Sequence, residues 1–295
     1  MRVAFLGLGA IGEPMGRHLA QDPFELTVWN RTREKADDFG ARNAAHVSAT
    51  PAEAASRAEI IVTCLPSSRE VESLLDGDSG LLAGLKPGAL LVDCTSGDPG
   101  TSRSIAARLQ GAGVDFVDAP VSGGVKGAVA GTLTVMCGGD SEAIDRARPV
   151  LDAFAGKIVR CGGVGTGHAV KAMNQALLAI HIWSAGEVLA ALAKLGVDAR
   201  VALEVINGSS GRSNSSENLF PERVIGRAYP RTFKLALLDK DVSIAADIAR
   251  EEGVPAAFVD LAARLFSEAH AELGEEADHV EAVKVVEERA GIRIS

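Results

Sequence analysis

Gly163-Val164-Gly165-Thr166-Gly167-His168-Ala169-Val170-Lys171-Ala172-Met173-Asn174-Gln175, with the apolar run that follows it to Leu195, divides this chain of 295 residues into two kinds of pattern. Before it, short β-branched runs alternate with Gly-punctuated helical segments; after it, helix follows helix with no credible strand. From His168 to Leu195 there is no Pro and one glycine, Gly186, so the stretch predicts one helix about 42 Å long at ~1.5 Å per residue. Lys171, Asn174 and Gln175 fall at i, i+3 and i+4 and share a face, with His181 and Ser184 farther down it. Ala, Leu, Ile, Val and Trp183 fill the remainder, and most of the helix is expected to be buried. A lysine on such a helix has two readings. Its stem can snorkel to water, or the two amides beside it and the Gly-rich approach mark a reactive site.

Composition narrows the class. The 47% hydrophobic and 23% charged residues form a soluble globular balance with ample core for one large or two ordinary domains. A net charge of −9 argues against a nucleic-acid partner, which needs a basic face. The apolar stretch from Ala176 to Ala193 contains His181, Ser184, Gly186 and Glu187, a poor membrane span. Arg2 runs directly into a strand pattern, so the expectation is a cytoplasmic protein without a targeting segment. Cys64, Cys94, Cys137 and Cys161 lie in or at the end of strand-like runs with no Cys-x-x-Cys and no His at ligand spacing. They read as small hydrophobes, and no metal is expected.

Arg2 to Leu6 is a short apolar strand followed by Gly7-Leu8-Gly9-Ala10-Ile11-Gly12 and a helical segment with Pro14 in its first turn. Strand, Gly-x-Gly-x-x-Gly and helix in this order are the dinucleotide fingerprint: a tight turn, close approach of backbone to pyrophosphate, and close packing of helix on strand. The next strand, Glu25 to Trp29, ends in Asn30-Arg31-Thr32. An NAD site usually puts Asp or Glu roughly 20 residues past the loop, on the ribose hydroxyl; here Arg31 offers a partner for a 2′-phosphate instead. The expected cofactor is NADP, with NAD possible, and a solvated Arg31 is the competing reading.

Ile60 to Thr63 and Ala89 to Cys94 are buried-type strands that deliver Leu65-Pro66 and Thr95-Ser96 to one sheet edge, the edge where parallel sheets bind ligands. Thr50-x-x-Glu53 and Ser67-x-x-Glu70 have capping-box spacing. Strand alternating with helix at this period predicts an α/β Rossmann-type doubly wound sheet. After the strand Val114 to Asp118 comes Ser122-Gly123-Gly124, a hydroxyl beside two glycine N–H groups. It suits a carboxylate and fits a plain Gly-rich turn equally. Lys126 to Gly131 is expected to continue this loop, Leu133 to Cys137 to return as a strand, Ser141 to Phe154 to form a helix kinked at Pro149, and Lys157 to Cys161 to close the first domain. The domains are thus expected at 1–162 and 163–295, the second all-α, with the linking helix over about 168–195. In the second half Asp198 caps a helix to about Ile206. Asn207 to Ser216 reads as a polar loop in which Ser210 and Arg212 are candidates for substrate contact. Three amphipathic helices follow, Phe233 to Arg250, Pro255 to Leu273 and His279 to Ala290, and their apolar faces predict a subunit interface, in a homodimer or homotetramer.

Gly7 to Gly12, Asp118 to Gly124 and Gly163 to Gln175, in this order and at these separations, resemble the β-hydroxyacid dehydrogenase family. Within it they look most like the branch that acts on 3-hydroxyisobutyrate, over nearly the whole chain. The resemblance implies a Rossmann domain, an all-helical domain, a long helix joining them and an active site in the cleft between. It further implies Lys171 as the catalytic residue, Ser122, Gly123 and Gly124 on the substrate carboxylate, and Asn174, Gln175 and Phe233 against the substrate. Leu65, Pro66 and Thr95 would approach the nicotinamide half of the cofactor, and Lys240 would serve the cofactor or the cleft. Two departures stand out. Asn174-Gln175 replaces a pair of asparagines and resembles tartronate semialdehyde reductases, and Thr95-Ser96 inverts the usual Ser-Thr.

The reaction expected is reversible hydride transfer between nicotinamide and the hydroxyl- or aldehyde-bearing carbon of a small carboxylate, with Lys171 as base and acid in turn. Lysine normally titrates near about 10.4, so burial is expected to bring it toward the working range. Imine reductases share the fold, but that family generally carries Asp or Tyr at the position of Lys171. A non-catalytic dinucleotide-binding protein is the more distant alternative.

Overall fold

Valine, isoleucine and leucine runs alternate their side chains between two cores. In the computed structural model, which describes residues 1–294, Val3 and Phe5 enter one apolar cluster and Ala4 and Leu6 the other; Ile60 and Val62 oppose Ile61, and Leu90 and Val92 oppose Leu91. A strand buried on both faces in this way belongs to a parallel sheet covered by helices on both sides. The elements are β1 (Arg2–Leu6), α1 (Gly12–His18), β2 (Glu25–Trp29), α2 (Arg33–Arg42), β3 (Ala45–Val47), α3 (Pro51–Ser56), β4 (Ile60–Thr63), α4 (Ser68–Ser73), α5 (Leu81–Gly84), β5 (Leu90–Asp93), α6 (Pro99–Gln110) and β6 (Asp115–Asp118). These six strands pair in parallel in the order β3-β2-β1-β4-β5-β6, the doubly wound order with its switch point between β1 and β4. β7 (Val121–Ser122), α7 (Gly124–Ala130), β8 (Leu133–Gly139), α8 (Ser141–Asp152) and β9 (Ala155–Gly162) extend the sheet. There β8 runs antiparallel to β6 and β7 and parallel to β9.

The chain divides into two compact units, Met1–Lys171 and a second that begins at Ala172. The long helix α9 (Thr166–Lys194) starts in the first and continues into the second. In the second unit α10 (Ala199–Asn207), a π-helix at Ser215–Ile225, α11 (Leu235–Glu251), α12 (Ala257–Leu273), a 3-10 turn at His279–Glu281 and α13 (Ala282–Ala290) follow. Their core gathers Ile182, Trp183 and Leu189 of α9 with Phe220, Leu238, Phe266 and Val283, and Trp183 meets the edge of Phe266 at 5.9 Å. By length and composition alone α9 could cross a membrane.

Several local expectations are corrected. Residues 124–130 form a helix rather than a loop, with Gly131 in the left-handed conformation closing it. The polar loop after α10 ends early, because Ser215 and Ser216 already belong to the π-helix. At Thr50 the hydroxyl accepts the Glu53 N–H as the spacing predicts, whereas Ser67 caps no backbone group and donates to the Glu70 carboxylate. α9 is less buried than its composition suggests. Val170, Asn174, Leu177, His181, Ser184 and Val188 are exposed, one stripe at alternating spacings of four and three.

Candidate active site

The Gly loop sits at the switch point. Gly7 has φ +107, and a Cβ there would lie 2.2 Å from the Cys64 carbonyl oxygen at the end of β4; one on Gly12 would lie 2.0 Å from the Gly7 oxygen. Both glycines are therefore required by the protein itself, the first by backbone conformation and both by contact. Gly9 differs: it is exposed, and a Cβ there would touch no protein atom within 4 Å. The open space at Gly9, over a wall of backbone, fits close approach by a pyrophosphate at the start of α1. Leu8 is buried, Ala10 exposed and Ile11 half-buried.

The other sites expected in the first unit line the same carboxyl edge. Asn30, after β2, accepts the Leu8 N–H on Oδ1 at 2.9 Å and donates from Nδ2 to the Thr32 carbonyl at 2.9 Å. Arg31 and Thr32 are exposed, and Thr32 precedes α2 without capping it through its side chain. After β4, the Leu65 N–H donates to Thr95 Oγ1 at 3.1 Å, so Thr95, buried after β5, ties two strand ends together; Pro66 is exposed. Ser122 closes β7, and Gly123 (φ +134) and Gly124 (φ +63) follow at the mouth of α7. Both glycines are exposed, and two successive positive φ values present backbone that only glycine supplies readily.

Lys171 is buried on α9, as is Gln175 one turn on, while Asn174 is exposed and donates from Nδ2 to Gln175 Oε1 at 3.3 Å. The shared face expected of the three is therefore split by burial. Phe233 is half-buried against His279, ring to ring at 5.5 Å. Lys240, on α11, pairs with the buried Asp241 at 3.1 Å. Ser210 and Arg212 stand exposed after α10, Arg212 3.9 Å from Glu217.

Sequence reasoning missed a set of buried polar residues behind this edge. Asp118, last in β6, accepts the N–H groups of Gly165 at 2.7 Å and His168 at 2.9 Å, and so caps the start of α9. Burial pushes its carboxyl pKa up, against the downward pull of His168 and of those two N–H groups. Asp93, last in β5, accepts from the Thr63 hydroxyl and the Thr95 N–H. Asp at the final position of two consecutive apolar strands was the available signal. In the second unit Asp278 takes the N–H and hydroxyl of Thr232, the N–H of Phe233 and the Arg223 guanidinium. Burial pushes its carboxyl up, but the His279 ring and the N–H groups of Thr232 and Phe233 outweigh that and hold it below the usual carboxylate range.

Comparison with known proteins bears on the same stretches. Residues 2–163 match the NAD binding domain of 6-phosphogluconate dehydrogenase, and residues 165–286 match the NAD-binding region of NADP-dependent 3-hydroxyisobutyrate dehydrogenase. The 2-(hydroxymethyl)glutarate dehydrogenase of Eubacterium barkeri is 34% identical over 303 residues, covering 100% of this chain and 98% of that protein. The NAD-dependent L-serine dehydrogenase of Pseudomonas aeruginosa is 33% identical, covering 90% and 91%. The solved Mycobacterium tuberculosis 3-hydroxyisobutyrate dehydrogenase with L-serine superposes with a TM-score of 0.89 at 30% identity, covering 97% and 98%. A fingerprint loop at the switch point and family matches over both halves lead to one conclusion: the chain belongs to the β-hydroxyacid dehydrogenase family, of the 3-hydroxyisobutyrate dehydrogenase type, and is an oxidoreductase that acts on CH–OH with NAD(P).

Proposed function

We propose that the protein interconverts 3-hydroxyisobutyrate and methylmalonate semialdehyde, with NADP preferred over NAD. The observation that carries the reading is the buried Lys171 in the second turn of α9, three residues after His168, whose N–H is held by Asp118. In this reading Gly7 to Gly12 hold the pyrophosphate, and Arg31 and Thr32 meet the 2′-phosphate, with Asn30 holding the loop. Leu65, Pro66, Thr95 and Lys240 complete the cofactor contacts. Ser122, Gly123 and Gly124 take the substrate carboxylate, and Asn174, Gln175 and Phe233 are the further substrate contacts. NADP, when bound, supplies the carbon acceptor and donor of hydride. Lys171 accepts the hydroxyl proton as the carbinol C–H bond is lost, and returns it to the alkoxide in the reverse direction. NADP is favoured because Asn30, Arg31 and Thr32 put a guanidinium, and no carboxylate, at the end of β2.

The second reading, reduction of tartronate semialdehyde, is favoured by Gln175. A kcat/KM panel of 3-hydroxyisobutyrate, tartronate semialdehyde, succinic semialdehyde and glyoxylate, each with NADP and NAD, tests both. Highest kcat/KM with the 3-hydroxyisobutyrate couple and NADP supports the first reading. A preference for tartronate semialdehyde replaces it with the second, and no turnover on any of the four overturns both. The protein is further proposed to be a homodimer or homotetramer, supported by Leu195 at 79% and Phe258 at 75% exposure, with Val201 and Val205 also exposed in the second unit. A monomeric mass by light scattering would refute that.

A further inference from the structure

The first turn of α9 is clamped by a side chain as well as by its cap. His168 is fully buried. Its Nε2 lies 2.9 Å from the Thr95 carbonyl oxygen and its Nδ1 2.6 Å from Ser102 Oγ. A carbonyl can only accept, so Nε2 carries a proton. Thr95 is thereby held on both sides: its N–H donates to Asp93 Oδ1 at 3.0 Å, and its carbonyl receives His168. The other Asp93 oxygen has no hydrogen-bond partner and stands 3.9 Å from His168 Nε2. From Thr95 the chain of contacts runs through Oγ1 to Leu65. Leu65 in turn borders the Gly loop, since a Cβ on Gly7 would lie 2.8 Å from Leu65 Cδ2.

Room for the ring is made by glycine. A Cβ on Gly97 would come within 3.1 Å of His168 Cε1 and 2.0 Å of Ser68 Oγ, and one on Gly167 within 2.8 Å of Asp118 Oδ2. An interior position with no role beyond packing is filled more cheaply by leucine, because a buried imidazole must have its polar atoms satisfied. Asp118 already anchors the helix start. What His168 adds is a rigid link from that turn of α9 to the Thr95 turn. Lys171 lies three residues on, one turn along the same helix and about 4.5 Å in rise.

We propose that His168 is a positioning residue for hydride transfer: by bonding the Thr95 carbonyl it fixes Lys171 relative to the Thr95–Leu65 edge of the Gly-loop crevice. The inference rests on the reading that Lys171 handles the proton. Misplacing such a group by about 1 Å lowers turnover on the order of a hundredfold, while a crevice whose other walls are intact keeps its cofactor.

The test compares His168→Leu, His168→Gln, Lys171→Ala and the double variant His168→Leu/Lys171→Ala, reading kcat, cofactor Kd from the fluorescence of NADPH, and Tm. His168→Leu is expected to lower kcat by about tenfold to a hundredfold with cofactor Kd close to that of the parent. His168→Gln, whose amide can still donate to Thr95, is expected to recover most of the loss. The double variant is expected to be no slower than Lys171→Ala, since two groups that act as a unit are not additive. Unchanged kcat in His168→Leu, equal losses of kcat and cofactor binding, or a full additive loss in the double variant overturns the proposal. If Lys171→Ala itself turns over normally, the lysine reading falls, whatever His168 does. Should His168→Leu fail to unfold cooperatively, His168→Gln against the shorter His168→Asn decides: equal activity of the two overturns the proposal, and activity confined to Gln supports it.

Discussion

Asn30 and Leu8 are joined by a 2.9 Å hydrogen bond from the Leu8 N–H to Asn30 Oδ1. The amide at the end of β2 therefore shapes the Gly loop, while its Nδ2 steadies the approach to α2 through the Thr32 carbonyl. Asn30→Ala removes both bonds. Each such bond is worth about 1 kcal/mol net, so affinity for NADP and for NAD should fall together, by about fivefold to thirtyfold. Titration calorimetry with each cofactor checks this, and a loss confined to one of them would mean that Asn30 reads the ribose directly.

Arg31 carries the opposite expectation. Arg33 is directed to Asp37 at 2.8 Å and to the Ser48 carbonyl, whereas Arg31 is exposed at the strand end. Arg31→Glu should reduce NADP affinity by about tenfold to a hundredfold, the worth of one or two charge-assisted bonds, and leave NAD affinity nearly unchanged. Equal losses for the two cofactors would remove the basis for NADP preference.

Lys171→Ala should bind cofactor like the parent and turn over slower by two or more orders of magnitude, within the range of about 10²–10⁴ for a lost general acid–base. Stopped-flow measurement of a single turnover separates this from slow product release. A near-normal rate assigns the proton to another group.

Asp278 predicts a pH dependence of stability. Its carboxyl is held below the ordinary carboxylate range, so the stabilisation is complete above the unfolded value of about 3.9 and fades as pH falls through it toward the folded pKa. Asp278→Asn leaves Arg223, whose Nη1 sits 3.1 Å from the carboxylate, without its counter-charge. The variant should lose about 3 kcal/mol near neutrality, and the difference from the parent should begin to narrow as pH falls below about 3.9, by about 1 kcal/mol at pH 3. Urea denaturation across that interval reads the difference, and parallel stability curves for the two proteins would contradict it.

How much could be read from residues alone depends on whether the signal was local. Ile60 to Thr63 and Leu90 to Asp93 announce themselves because strands covered on both faces are continuously apolar, and the Gly loop is a contiguous motif in its confirming context. The helix over Gly124–Ala130 could not be read that way. Gly124 and Gly127 disfavour helix by about 1 kcal/mol each, and close packing decides the outcome, with Leu133 Cδ2 only 3.2 Å from where a Gly127 Cβ would stand. The π-helix over Ser215–Ile225 contains Pro221, a residue that ordinarily ends helices. At the site, Lys171 is conspicuous as a lysine on an apolar helix. Asp93, Asp118 and His168 are scattered singly, and their relation exists only once the sheet brings three chain segments together.

Lys171 and Gln175 occupy successive turns of one unbroken α9, so in the proposed reading the spacing between the proton-handling group and the substrate-facing amide is set by helical pitch alone. Selectivity can then drift by exchange at 175 without re-tuning the chemistry at 171. In that reading one helix carries a fixed engine and an interchangeable tool head.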